Sequence, residues 1–122
     1  MRRKYTDDIP SLKDLIIPLL KTMSEKPIMP IHRSLIDENV IAKLNIQNKK
    51  IKLKHLYNTN RTEIQYRLAW VRSHLKKLGV VNSDGKGNWS LTNPDINFEL
   101  EKNCKDVIEK YRLFTNSKYK RY

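Results

Sequence analysis

Apolar residues recur at helical spacing in three stretches, separated by turn-rich or mixed segments. Leu12, Leu15, Ile16, Leu19, Leu20 and Met23 step by 3, 1, 3, 1 and 3, which predicts a helix from about Ser11 to Met23 with a wide core-facing stripe. Pro18 lies inside it and removes one backbone donor, so a late start or a kink is expected. Lys26–Met29 reads as an extended connector or a short strand. Pro30 suits the first position of a second helix, running to about Leu44 with Ile31, Leu35, Val40 and Leu44 inward. Asn45–Asn48 is a break. Residues 51–60 (IKLKHLYNTN) fit a strand by alternation and a short helix equally well.

The most regular stretch is Asn60–Gly79, NRTEIQYRLAWVRSHLKKLG. Ile64, Leu68, Val71, Leu75 and Leu78 fall on one stripe at steps of 4, 3, 4 and 3. Asn60 can cap this helix with Glu63 reaching back, and Gly79 supplies a left-handed stop. The opposite face carries Thr62, Tyr66, Ala69 and Ser73, flanked by Arg61, Gln65, Arg72, Lys76 and Lys77. Such a face suits a helix laid in a DNA major groove, and suits an ordinary surface helix as well. Next come Val80–Ser83, a turn at Asp84-Gly85-Lys86-Gly87 and the alternating Asn88–Thr92, a tight hairpin. Trp89 and Leu91 share its inner side. A last helix is predicted from Pro94-Asp95, with Ile96, Leu100, Cys104, Val107, Tyr111 and Phe114 on one stripe. A Gly-stopped helix followed at once by a hairpin is the order of a winged helix-turn-helix. The expected fold is mainly α with a small β-hairpin wing and an extra C-terminal helix. The expected divisions are an arm at 1–8, a winged-helix domain at 9–93, the last helix at 94–115 and a basic tail at 116–122.

Charge sharpens this picture. The 122 residues carry a formal charge of +12. Between Lys43 and Lys77 there are ten Lys or Arg against one acid, Glu63. A surplus this concentrated argues for a polyanionic partner, nucleic acid or an anionic membrane surface. One cysteine, Cys104, excludes an internal disulfide and starves a Cys-based zinc site of ligands. No apolar run approaches 18 residues, and no apolar segment follows the basic start MRRKYTDD, so neither a membrane span nor a secretory signal is expected. A cytoplasmic location follows as the expectation.

The segment YRLAWVRSHLKKLGVVNSDGKGNWSLT, from Tyr66 to Thr92, resembles the N-terminal domain of Mrr-type restriction proteins. The resemblance rests on Arg67, Trp70, Leu75, Lys76, Lys77, Gly79, Trp89, Leu91 and Thr92. An opening helix containing a proline, here Pro18, adds to it. It covers roughly residues 8–92, with a weaker middle. It implies a winged helix that selects DNA for a restriction system acting on modified DNA, with cutting done by a separate catalytic domain for which these residues leave no room.

Catalytic chemistry finds little footing. Asp84-Gly85-Lys86 is the sole match to a nuclease-like acid-x-Lys, and it sits at a turn tip with no preceding strand acid. His32, His55 and His74 are scattered singly, and there is no nucleophile elbow or phosphate loop. No cofactor and no metal are expected. The expected base-reading residues are Asn60, Arg61, Thr62, Gln65, Tyr66 and Trp70. The expected phosphate contacts are Lys52, Lys54, Arg72, Ser73, Lys76, Lys77 and Lys86. Trp70 reads either as a cap on the core or as a groove contact to a thymine or added methyl. Two other readings stand beside this one. One is a small regulator of the same fold, dimeric through residues 96–114. The other is a protein-interaction module using that same stripe.

Overall fold

The computed structural model describes residues 9–25, 30–44, 54–55 and 58–119, with the backbone alone for 54–55, 58–61 and 117–119. The chain order is α1 (Leu12–Ser24), β1 (Ile31–His32), α2 (Arg33–Leu44), β2 (Lys54–His55), β3 (Asn58–Thr62), α3 (Glu63–Lys77), β4 (Val81–Ser83), β5 (Asn88–Leu91) and α4 (Glu101–Tyr119). Helix α1 packs against α2, α3 and α4. Its stripe forms the centre of the core: Leu15, Ile16, Leu19 and Leu20 are fully buried, and Met23 nearly so. The Ser11 hydroxyl caps α1 by accepting the Asp14 N–H. The helix continues through Pro18.

On α3, Ile64, Leu68, Val71 and Leu75 are fully buried as the spacing predicts. Burying each such side chain contributes roughly 1.5–3 kcal/mol. The helix ends in a Schellman motif. The Val80 N–H donates to the Leu75 carbonyl at 2.9 Å, and the Gly79 N–H to that of Lys76 at 3.0 Å. Gly79 takes φ 80°, which a residue with a Cβ adopts only under strain.

Three local expectations are corrected and one open alternative is resolved. Pro30 does not open α2. Ile31 and His32 instead pair antiparallel with Trp89 and Asn88 of β5, and the ladder continues as the Arg33 N–H donates to the Gly87 carbonyl at 2.8 Å. Helix α2 buries Ile36 and Val40 together with Asp37, while Leu35, expected inward, is 48% exposed. The register changes because β1 fixes where α2 begins. The ambiguous stretch before α3 contains an antiparallel pair, β2 with β3. Finally, the last helix starts at Glu101 rather than Pro94. Two Asx turns delay it, with Asn93 Oδ1 accepting the Asp95 N–H and Asn97 Oδ1 accepting that of Glu99. Phe98, in this stretch, is buried in the core. Val107 and Tyr111 then seat α4 on the domain. The expected connector at Lys26–Met29, the break at Asn45–Asn48 and the arm at 1–8 lie outside the described residues.

The small sheet has the order β1-β5-β4, so the wing hairpin β4–β5 is flanked on its β5 side by a third strand. Gly85 and Gly87 both have positive φ in the turn. The Asp84 carboxylate organises that turn, accepting the Lys86 N–H at 2.7 Å, the Asn88 N–H at 3.1 Å and the Asn88 side-chain amide at 2.8 Å. These bonds, the Asn88 amide first, hold its pKa below the ordinary 3.8.

Candidate nucleic-acid interface

The start of α3 is built by a different cap from the expected one. The sequence NRTEIQ contains two overlapping acceptor-and-reach-back pairs, Asn60 with Glu63 and Thr62 with Gln65. Strand β3 takes Asn60 and Arg61 into extended backbone, so the helix opens at Thr62. Thr62 Oγ1 accepts the Gln65 N–H at 3.2 Å, and Gln65 Oε1 accepts the Thr62 N–H at 3.0 Å. This is a reciprocal capping box. Gln65 is exposed, and since Oε1 makes that bond, its Nε2 keeps its capacity as a donor.

Glu63, released from capping, is fully buried and receives Arg67 Nε on Oε2 at 2.7 Å. Arg67 Nη1 also donates to the carbonyls of Ile9 and Pro10, at 2.8 and 3.0 Å. Arg67, noted in the sequence as part of the resemblance alone, thus ties the start of the chain to α3. The i,i+4 spacing of Glu63 and Arg67 was the available signal.

Arg72 is the clearest correction among the expected phosphate contacts. It is 3% exposed and ion-paired to Asp37 of α2. Its guanidinium carbon also lies 5.7 Å from the centre of the Trp89 ring. Arg72 joins α2, α3 and the wing from inside and is not presented to a phosphate. Trp89 is half-buried against the core, as its alternation implied.

Of the remaining positions, those whose side chains are described stay on the outer side. Lys76 and Lys77 are exposed in the last turn of α3, Ser73 and Ala69 are half-buried between flanks, and Lys86 is exposed at the wing tip. Lys54 lies in β2, described as backbone, and Lys52 lies outside the described residues. Two residues that sequence reasoning missed, Arg33 and Ser34, open α2. With Asp37, Gln65 and Arg72 they line a cleft of about 160 Å³ between α2 and α3. The Ser34 hydroxyl there donates to His32 Nδ1 at 2.8 Å, and the same nitrogen accepts the Ser34 N–H.

An aromatic ladder climbs the other flank of α3. The Tyr66 and Trp70 rings are edge-to-face with centroids 6.3 Å apart, and Trp70 and His74 are 5.4 Å apart. His74 is buried and bonds the Tyr111 hydroxyl through Nδ1 at 2.9 Å, so it joins α3 to α4. Trp70 itself is 41% exposed and does not close over the core.

Among the described residues no group of three or more His, Cys, Asp or Glu is placed to hold a metal, and no helix is long and apolar enough to cross a membrane. Asp84 and Lys86, the nuclease-like pair, are engaged in the wing turn through the carboxylate and the backbone N–H. Residues 13–98 match a family model described as the Mrr N-terminal domain. Neither a curated protein nor a solved structure matches the chain.

Proposed function

Because the chain belongs to the Mrr N-terminal domain family, we propose that it is a double-stranded DNA specificity module of an Mrr-like restriction system, contributing recognition and not cleavage. The observation that carries this reading, beside family membership, is the outer side of α3 and the wing. Exposed Gln65, Lys76, Lys77 and Lys86 share it with the half-buried Thr62 and Ser73, on a chain of charge +12. In this reading Gln65 forks toward a base edge while the lysines neutralise phosphates. Asn60 and Arg61, in the strand entering α3, supply further base contacts, and Tyr66 and Trp70 border the groove. Lys52 and Lys54, which precede the helix in sequence, add phosphate contacts in this reading.

The finer part of the proposal is a preference for a methylated base, most plainly N6-methyladenine. The exposed Trp70 beside Tyr66 supports it, since an aromatic wall can cover a methyl projecting into the groove. Removing one methyl from water contributes about 0.8 kcal/mol. Two methyls on a symmetric site give about 1.6 kcal/mol, roughly 15-fold. Affinity for a short duplex, measured from 50 to 300 mM salt, should fall with a log–log slope near −5 to −7, as expected for roughly five to eight neutralised phosphates. A slope shallower than about −2 removes the groove-and-phosphate reading. Matched plain and methylated duplexes at fixed salt then test the finer part, which equal affinities across candidate sites would end.

A further inference from the structure

Beside the aromatic ladder lies a cavity of about 470 Å³ between α3, α4 and the start of α1. Tyr66, Trp70, His74 and Tyr111 form its aromatic lining, and Glu63 and Arg67 its polar end. The volume falls in the range of small-ligand sites, roughly 300–1,000 Å³. We propose that this cavity binds a nucleobase, and that its source is a base turned out of the duplex held by α3. The second clause rests on the DNA-binding reading above.

Three observations lead there. First, Tyr66 and Trp70 are shared by the cavity and the expected groove-facing side, so a base leaving the groove has a continuous aromatic path. Trp70 is 41% exposed although His74 packs behind it, itself held by both Tyr111 and Phe114. A base stacking on it gains the contribution usual for aromatic platforms, which tolerate any base. Second, the polar end is rigid. Arg67 is held by Glu63 through Nε and by the Ile9 and Pro10 carbonyls through Nη1, leaving Nη2 outside these bonds. Its side chain is 17% exposed. A fixed guanidinium edge in an aromatic cavity selects a planar ring with an acceptor on its rim. Guanine O6 and N7 supply two such acceptors, and thymine carbonyls supply them singly. Third, the cavity flanks α3 on the side away from Asp37, Arg72 and Trp89, so filling it leaves the wing contacts undisturbed.

The test uses duplexes identical except for one mismatched pair at the contacted site, together with free guanosine. Turning out a mismatched base costs less than turning out a paired one, so a protein that extrudes a base binds the mismatch more tightly. The full chain should bind the mismatched duplex about 10-fold more tightly than the matched one. Trp70→Ala and Tyr66→Leu, each confirmed folded by circular dichroism, should bind the two alike. In a Trp89→Phe background, where Trp70 is the one remaining tryptophan, guanosine at millimolar concentration should quench fluorescence. Equal affinity for matched and mismatched duplexes overturns extrusion. If guanosine still quenches, the pocket takes a free base; if guanosine is also silent, the cavity is not a base site at all. Absence of any duplex binding at low salt would instead overturn the DNA-binding reading, and guanosine quenching would still decide the pocket.

Discussion

Replacing Asp37 by alanine strips the buried Arg72 of its carboxylate. The guanidinium is 3% exposed and the Asp37 side chain 11% exposed, so neither charge is well hydrated. Removing one partner of such a pair typically costs about 3–5 kcal/mol, mostly because the other charge is left buried. The partial exposure of Asp37 admits some water, which places the expected loss at the lower end, about 3 kcal/mol. Native domains have about 5–15 kcal/mol in total, so the variant should remain folded but lose roughly 10–15 °C in Tm. The double variant Asp37→Leu with Arg72→Met removes both charges at similar volume and should recover to within about 1–2 kcal/mol of the parent. The residual reflects the lost Arg72–Trp89 contact. Thermal and urea unfolding read both numbers. A single-variant loss under about 1 kcal/mol would mean the pair is effectively solvated and the burial argument wrong. The double variant also carries a DNA readout. Its salt slope should equal the parent's, whereas a slope reduced by about one would return Arg72 to the phosphate contacts.

Three further outcomes are expected. Gly87→Ala should destabilise more than Gly85→Ala, by about 1–2 kcal/mol, because both need positive φ but only at Gly87 would a Cβ meet a neighbour, His32 Nε2 at 2.9 Å; equal losses would dismiss the His32 contact. Lys86→Ala should weaken all duplexes alike, while Arg61→Ala or Gln65→Ala should weaken the preferred site by about 1–3 kcal/mol. Unfolding of Gln65→Ala must be measured alongside, since it also loses half the capping box, about 1 kcal/mol; identical behaviour of all three across sequences would refute the reading helix. The lowered pKa of Asp84 means its bonds favour the folded wing above the ordinary 3.8, a contribution lost as pH falls through the folded value. The Lys86 and Asn88 amide resonances, whose N–H groups donate to that carboxylate, should therefore hold steady down to about 3.8 and shift below it, and Asp84→Asn should abolish the transition.

Where the sequence was legible, one physical rule dominated. On α1 and α3 every stripe position within the helix is apolar, so periodicity located the apolar core side chains, though not the buried Glu63, Arg72 and His74 of α3, and the two wing glycines marked the turn. Helix α2 broke that rule. It buries a carboxylate beside Ile36 and exposes Leu35, because its partner Arg72 lies 35 positions away and no local pattern announces the pairing. The cap of α3, expected at Asn60, was misplaced for a related reason. Two overlapping boxes satisfy the same spacing, and a strand pairing chose between them. Arg72 was misplaced because it follows Val71 on the helix edge, where a cation can turn outward or inward. The aromatic lining at positions 66, 70 and 74 was visible as spacing, but the cavity needs Tyr111 from α4 to exist.

The third strand on the wing has a mechanical consequence. A free two-stranded hairpin swings about its base and can follow the contour it touches. Here β5 is hydrogen-bonded along both edges, and β1 on its far side runs directly into α2, while Arg72 clamps α2 and the wing to α3. The helix and the wing tip therefore form a caliper of fixed opening. In the proposed reading, a duplex spanning both points would do the adjusting itself. The work of fitting then falls on the stiffness of the intervening base steps, so positions touched by neither jaw should still influence which sites are chosen.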